Sequence, residues 1–198
     1  MKSVLISIHP KWCELIASGK KTVEVRKTKP KLEVPFKCYI YCTKGKGDCL
    51  WRWNGIWYDT QDPQHRPNRM DGKVIGEFVC KNMTYIDARI DSDGDRHLGN
   101  TLFLKNRMCL SDDELFDYLY KGEKENNGGW AWHISDLVIY DKPRELSEFR
   151  HECNGICLDT KKKIKCKYLY KRLDKAGFAC NRLKPIEKAP QSWCYVGV

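Results

Sequence analysis

Apolar and polar positions alternate along most of this chain, and glycine, proline and acidic clusters break the alternation into short segments. The run SVLISIH reads as a short buried strand. PKWCELIASG reads as a helix, with Pro10 in its first turn and Gly19 just past its end. Trp12, Leu15 and Ile16 fall at i, i+3 and i+4 and predict its core-facing stripe. Gly19 permits the left-handed conformation that stops a helix abruptly. KTVEVRK follows as a strand that buries Val23 and Val25 on one side and lines up Thr22, Glu24 and Arg26 on the other.

PFKCYIYCTK alternates as a further strand, with Tyr39, Tyr41 and Thr43 on one face and Cys38, Ile40 and Cys42 on the other. In CLWRWNGIWYDT, Asn54-Gly55 between aromatic runs predicts a two-residue hairpin over residues 49–60, carrying Trp51, Trp53 and Trp57. Gln61 to Gly72 is polar and proline-bearing, hence a loop. KVIGEFVCKNMTYI resumes as a long strand, with Gly76 marking a bulge. DSDGD lacks the closing glutamate of a calcium loop and reads as a plain turn. SDDELFDYLYKG is a capped helix: Ser111 caps, Glu114 completes the box and Gly122 ends it. GWAWHISDLVIYDKPRELSEF adds a strand and then a proline-led turn. Five or six strands with two short helices predict the α+β class and a small, partly closed β-barrel.

Composition adds a partner and a compartment to this picture. At 198 residues the chain is one domain, or one domain with an appendage, and buries enough surface to fold without a staple. The formal charge of +10 favours polyanions, nucleic acid first among them. Eleven cysteines with no signal peptide and no membrane-length apolar run predict a cytoplasmic chain whose thiols stay reduced and serve as small core residues. From Arg150 onward the chain turns lysine-rich and carries five of the cysteines. DTKKKIKCKYLYKR, with tyrosines between lysines, suits a phosphate-tracking arm or a solvated helix face.

The candidate chemistry centres on Thr22, Glu24 and Arg26, about 7 Å from one to the next along the strand face. Arg26 offers a planar fork to a phosphate or a base edge, and Glu24 an acceptor for an exocyclic amine. An ion pair between the two is the structural alternative. The surrounding Lys20, Lys21, Lys27, Lys29 and Lys31 add positive charge or a solvated face.

Gly19, Lys21, Glu24 and Arg26 form G-x-K-x-x-E-x-R after a short helix that follows a first strand. Together with YIYCTK, GKVIGEF, GWAWHISDLVIYDKP and the closing PQSWCYV, this pattern resembles the ASCH domain of the PUA-like superfamily, of the type found in Firmicutes and their phages. The resemblance implies a mixed β-barrel over residues 1–149, with a cleft floored by the G-x-K-x-x-E-x-R strand. It also implies that residues 150–198 are a basic, cysteine-rich extension whose final strand, 190–198, returns to the barrel. PUA-like relatives hold RNA, or a single base that is sometimes modified, in such clefts. The residues carried over as RNA- or base-binding are Lys21, Glu24, Arg26, Tyr41, Trp132, His133, Ser192 and Trp193. Alternation puts Trp130 and Trp132 on one face and His133 on the other, and core packing is the alternative for both tryptophans.

Two ASCH-like branches imply hydrolysis instead. One resembles amidohydrolases that deacetylate N4-acetylcytidine with a lysine, a threonine and a glutamate. Lys21 matches the lysine, Glu24 stands where the threonine is expected, Thr22 is the substitute nucleophile, and Glu123 or Glu125 is the acid. The other resembles ribonucleases, in which Lys21 and Arg26 would stabilise a phosphorane and Glu24 would act as base. No cofactor is required. A structural zinc on His151, Cys153, Cys157 and Cys166 is the alternative to plain thiols, although the spacing lacks a C-x2-C knuckle. RNA or a nucleotide is the expected partner, DNA a weaker one, and the tryptophan hairpin offers a surface to a protein, such as a host target of a phage factor.

Overall fold

The computed structural model describes residues 2–45, 50–53, 55–58, 68–122, 127–152, 173–174, 177–178 and 183–197. Strand β1 (Lys2–Ile8) leads into helix α1 (Pro10–Ala17), then β2 (Val23–Arg26) and β3 (Phe36–Cys42). The hairpin β4 (Trp51–Trp53) and β5 (Ile56–Tyr58) is joined by β6 (Asn68–Arg69). The long β7 (Val74–Ile90) turns back through β8 (Arg96–Gly99). Helices α2 (Lys105–Met108) and α3 (Asp112–Leu119) precede the second long strand, β9 (Gly129–Arg144). The remaining strands are β10 (Arg150–Glu152), β11 (Leu173–Asp174), β12 (Gly177–Phe178), β13 (Leu183–Pro185) and β14 (Trp193–Gly197).

The main sheet runs β13-β10-β14-β1-β3-β7-β9-β2, with β8 pairing the last four residues of β7, Asp87 to Ile90. β1 and β3 are parallel, whereas the β1/β14, β3/β7, β7/β9 and β2/β9 ladders are antiparallel. β2 therefore leaves its chain neighbour β1 and pairs at the far end of the sheet. The sheet curls enough to bring the two back together: Arg26 of β2 donates to the Ser7 carbonyl of β1, and Trp193 Nε1 of β14 donates to Thr28 Oγ1 at 3.1 Å. Among the described residues no ladder joins the two ends, so the expected partly closed barrel is a curled α+β sheet closed by side chains.

Local chemistry explains where the elements stop and bend. α1 ends at Ser18, and Gly19 takes φ +75°, the left-handed turn the sequence predicts. The Ser111 hydroxyl and the Glu114 carboxylate form a reciprocal capping box on α3. Trp53 pairs with Ile56, and Gly55 between them takes φ +80°. A Cβ on Gly76 would meet the Val138 carbonyl oxygen at 2.4 Å, and the β3/β7 and β7/β9 registers both slip beside it. β9 continues through Pro143, where a turn was expected; the register jumps between its pairings to Val74 and Gly76, and a strand accepts proline at such an irregularity. Asp91 Oδ1 accepts from the Asp93 and Asp95 amides, so DSDGD is the plain turn between β7 and β8.

β1 is buried on both faces: Val4, Ile6 and Ile8 join the central cluster with Phe36, Ile40, Phe78 and Trp132, while Leu5 packs on the other side with Tyr39, Tyr41 and Phe149. A third cluster holds α2 and α3 against Val23, Val25 and Ala131. Cys13, Cys38, Cys42 and Cys80 are buried in the central cluster, as expected of small core residues. Burial pushes the Cys80 and Cys194 thiols up to about 11. Among the described residues no helix is long and apolar enough to cross a membrane.

Candidate functional site

The Gly19 turn decides the fate of Lys21. It sends the chain back over α1, with the Lys21 amide donating to the Leu15 carbonyl at 2.9 Å, and so turns the lysine side chain inward. There Nζ donates to the Met108 carbonyl and stands 3.4 Å from Glu24 Oε2, in a residue only 2% exposed. That carbonyl is available because α2 ends after one turn, with Cys109 in the left-handed region at φ 55°. Arg26 Nη2 donates to Glu24 Oε1 at 2.9 Å and to the Ser7 carbonyl at 2.5 Å. Glu24 and Arg26 are buried as well. One carboxylate thus lies between two cations, leaving one surplus positive charge. Arg26 Nε is buried with no hydrogen-bond partner.

This triad floors a cavity of about 380 Å³. Its walls come from Ser7 and His9 at the end of β1, Trp12 on α1, Thr43 after β3, and Glu114 and Tyr118 on α3; Gln191, just before β14, closes one side. Lys21 Nζ lies 5.1 Å from the centre of the Trp12 ring and Lys11 Nζ 4.5 Å from it. Lys27 Nζ lies 5.0 Å from the Tyr118 ring. Burial raises the Tyr118 hydroxyl above its ordinary pKa, Arg26 opposing the rise and Glu24 adding to it. Chemically the cavity offers a flat aromatic wall, the carboxylates of Glu24 and Glu114 as acceptors, and an unsatisfied N–H on a floor that holds two cations.

The structure gathers some of the sequence-predicted residues here and disperses others. Lys21, Glu24 and Arg26 line the cavity together. Thr22 does not: its hydroxyl accepts from Arg107 Nε at 3.0 Å on the other side of the backbone. Tyr41 is packed beside Leu5, Val74 and Phe149 on the sheet's opposite face. Trp132 lies directly across from Glu24 in the β2/β9 ladder but is fully buried, in edge contact with Phe36 at 5.7 Å. Its Nε1 has no partner. Trp193 packs on Trp132 at 6.1 Å, and the Ser192 carbonyl accepts from the Ser7 amide, so the last strand borders the cavity through its backbone and Gln191. His151 lies in β10; Cys153, Cys157 and Cys166, like Glu123 and Glu125, lie outside the described residues, as do Asp159 and the lysine arm up to Lys171–Arg172. Among the described residues no three His, Cys, Asp or Glu side chains are grouped to hold a metal.

Trp12 and Tyr118 were the residues that sequence reasoning missed. Trp12 sits in the apolar stripe of α1, yet Cys13 and Ile16 are the fully buried pair and Trp12 is left at the cavity wall. Tyr118 carried one usable signal, a phenol on the polar side of a capped helix rich in acids.

His133 points away from the cavity, its Nε2 3.0 Å from Thr84 Oγ1. Burial, reinforced by Arg107, holds its pKa below the ordinary value. A depressed histidine is neutral in the fold while the unfolded chain protonates first, so its contribution is complete above the unfolded pKa of about 6.5 and is lost as pH falls below it. His133→Gln is expected to lose less stability than the natural chain between about pH 6.5 and 5. Urea midpoints across that range read the difference, and parallel curves would refute it.

The family model of the ASCH domain matches residues 6–143. Among solved structures, the chain is similar to ASCH from Zymomonas mobilis, with 22% identity over 73% of each chain and a TM-score of 0.45. A point mutant of that Zymomonas mobilis protein gives 22% identity over 74% of this chain and 77% of the other, with a TM-score of 0.46. No curated protein matches the chain.

Proposed function

The chain belongs to the ASCH domain family, and on that premise we propose that it binds single-stranded RNA, seating one unpaired base in the cavity above Lys21, Glu24 and Arg26. The observation that carries this reading is the buried, charged floor with an unsatisfied donor at Arg26 Nε, set beneath two aromatic walls. A buried polar atom without a partner is costly, and a carbonyl or ring-nitrogen acceptor on a ligand would relieve it. Glu24 is held in place by its two cations and keeps lone pairs for an N–H on the same ligand. The volume of about 380 Å³ accommodates a flat heterocycle with part of its sugar. The preference for RNA rests on the family, whose PUA-like fold is generally linked to RNA binding.

Trp12 supplies the test. Stacking on an aromatic ring is worth roughly 1–3 kcal/mol per base, so Trp12→Ala is expected to weaken RNA binding by about 5- to 150-fold. Trp12→Phe, which keeps a ring, retains most of the affinity and controls for loss of packing. Binding should also fall with salt, with a log–log slope of about −2 if three phosphates are neutralised. Fluorescence anisotropy with a labelled oligonucleotide measures both. Equal affinities for Trp12→Ala and the natural chain remove the cavity from the account. Turnover of labelled RNA or N4-acetylcytidine that Lys21→Ala abolishes would replace binding by hydrolysis.

A further inference from the structure

A second cavity has a volume of about 690 Å³. Helix α2 touches both. Its Met108 carbonyl takes Lys21 from the first side, while Arg107 takes the Thr22 amide and hydroxyl and lines the second. Beside Arg107 stand His133 and Thr84. No carboxylate lies within ion-pair distance of Arg107 among the described residues, whereas Lys105 is paired with Asp112 at 2.5 Å. Arg107 is thus the cation of this cavity that has no carboxylate partner among the described residues.

The outer rim is apolar. Leu102 is 78% exposed and Phe103 85%, the two most exposed large apolar side chains among the described residues. They are held there by fixed neighbours: Thr101 and Leu104 are buried, the Leu104 amide donates to the Thr101 carbonyl at 2.8 Å, and Asn100 Nδ2 donates to the Tyr85 carbonyl at 3.0 Å. A phenyl ring presented to water on an anchored turn, beside an unpaired guanidinium, is the pairing that a base and its phosphate fit.

We propose that Phe103 and Arg107 form a second nucleotide subsite, for the residue of the same RNA strand adjoining the one held over Lys21, Glu24 and Arg26. The subsite rests on the proposed function for its occupant, and α2 gives the continuity: Met108 holds the lysine of the first cavity and Arg107, the residue before it, lines the second. Phe103 stacks the second base and Arg107 meets its phosphate.

The experiment compares the four ribonucleoside monophosphates with a single-stranded RNA of about ten nucleotides. Each is titrated into the full chain and its Phe103→Ala, Arg107→Gln and Trp12→Ala variants. Phe103→Ala is expected to weaken binding of the oligonucleotide by about 5- to 150-fold and to leave that of the monophosphates unchanged. Arg107→Gln is expected to weaken the oligonucleotide and flatten its salt slope by about 0.7. Phe103 is exposed, so thermal midpoints of Phe103→Ala stay at the natural value. If Phe103→Ala binds the oligonucleotide like the natural chain while Trp12→Ala does not, the second subsite is refuted and the first stands; a turn that serves a protein partner gives this result. If Phe103→Ala weakens binding and Trp12→Ala does not, the first cavity is refuted and the second stands. A natural chain that binds no RNA refutes both.

Discussion

Glu24→Ala is expected to cost the fold about 3–5 kcal/mol. Lys21 is 2% exposed and Arg26 9%, and Glu24 is the carboxylate paired with both. Removing it leaves two like charges desolvated in one cavity floor, with carbonyl oxygens of Met108 and Ser7 as their remaining acceptors. Those dipoles offset part of the charge, but breaking a buried pair is costlier than the pair's net worth because the surviving charge cannot return to water. Glu24→Gln keeps the shape and one acceptor and is expected to lose less. Urea unfolding gives both values, with an unchanged m confirming that only stability has moved. A loss below about 1 kcal/mol, the range of an exposed pair, would mean that water already reaches the floor. The same pair of variants separates scaffold from recognition: Glu24→Gln, still folded, reports what the carboxylate contributes to RNA affinity.

Trp132→Ala is expected to be as damaging, at about 3–5 kcal/mol, and for a different reason. The indole is wholly buried among Phe36, Trp193 and the β1 side chains, so truncation opens a void in the seam that holds the curled sheet together. Trp132→Phe is the informative companion. It removes some packing but also removes the buried Nε1–H that has no acceptor, whose burial costs about 1–3 kcal/mol. The two effects oppose each other, and Trp132→Phe is expected to stay within about 1.5 kcal/mol of the natural chain. Its RNA affinity should not change, because the ring does not line the cavity. A tenfold loss of affinity in a stable Trp132→Phe would return this residue to the role of stacking wall.

These two expectations mark where the sequence was readable. The strand carrying Glu24 and Arg26 was legible from its alternation, and the turn before it from Gly19. What Arg26 does there was not legible. Its fork looked free for a ligand, yet one of its nitrogens is occupied by Glu24 and a β1 carbonyl, leaving Nε as the unsatisfied donor. Ser7 and Arg26 are 19 positions apart and belong to strands that do not pair, so no local pattern announces their contact. Thr22 shows the same limit: it shares a side with Glu24 by alternation, but it precedes the regular strand and is captured by Arg107, 85 positions away.

Alone, the order of residues determined the element types, the Gly19, Gly55 and Gly76 corners, the capping box of α3 and the core place of Cys13, Cys38, Cys42 and Cys80, because periodicity, φ preference and capping act within a few bonds. Which aromatic meets solvent and which is sealed was decided by the curl of the sheet. Trp12 and Trp132 both stand on apolar faces, and one became a cavity wall while the other became core. A side chain's face follows from its own neighbours, but what covers that face follows from strands that arrive from elsewhere in the chain.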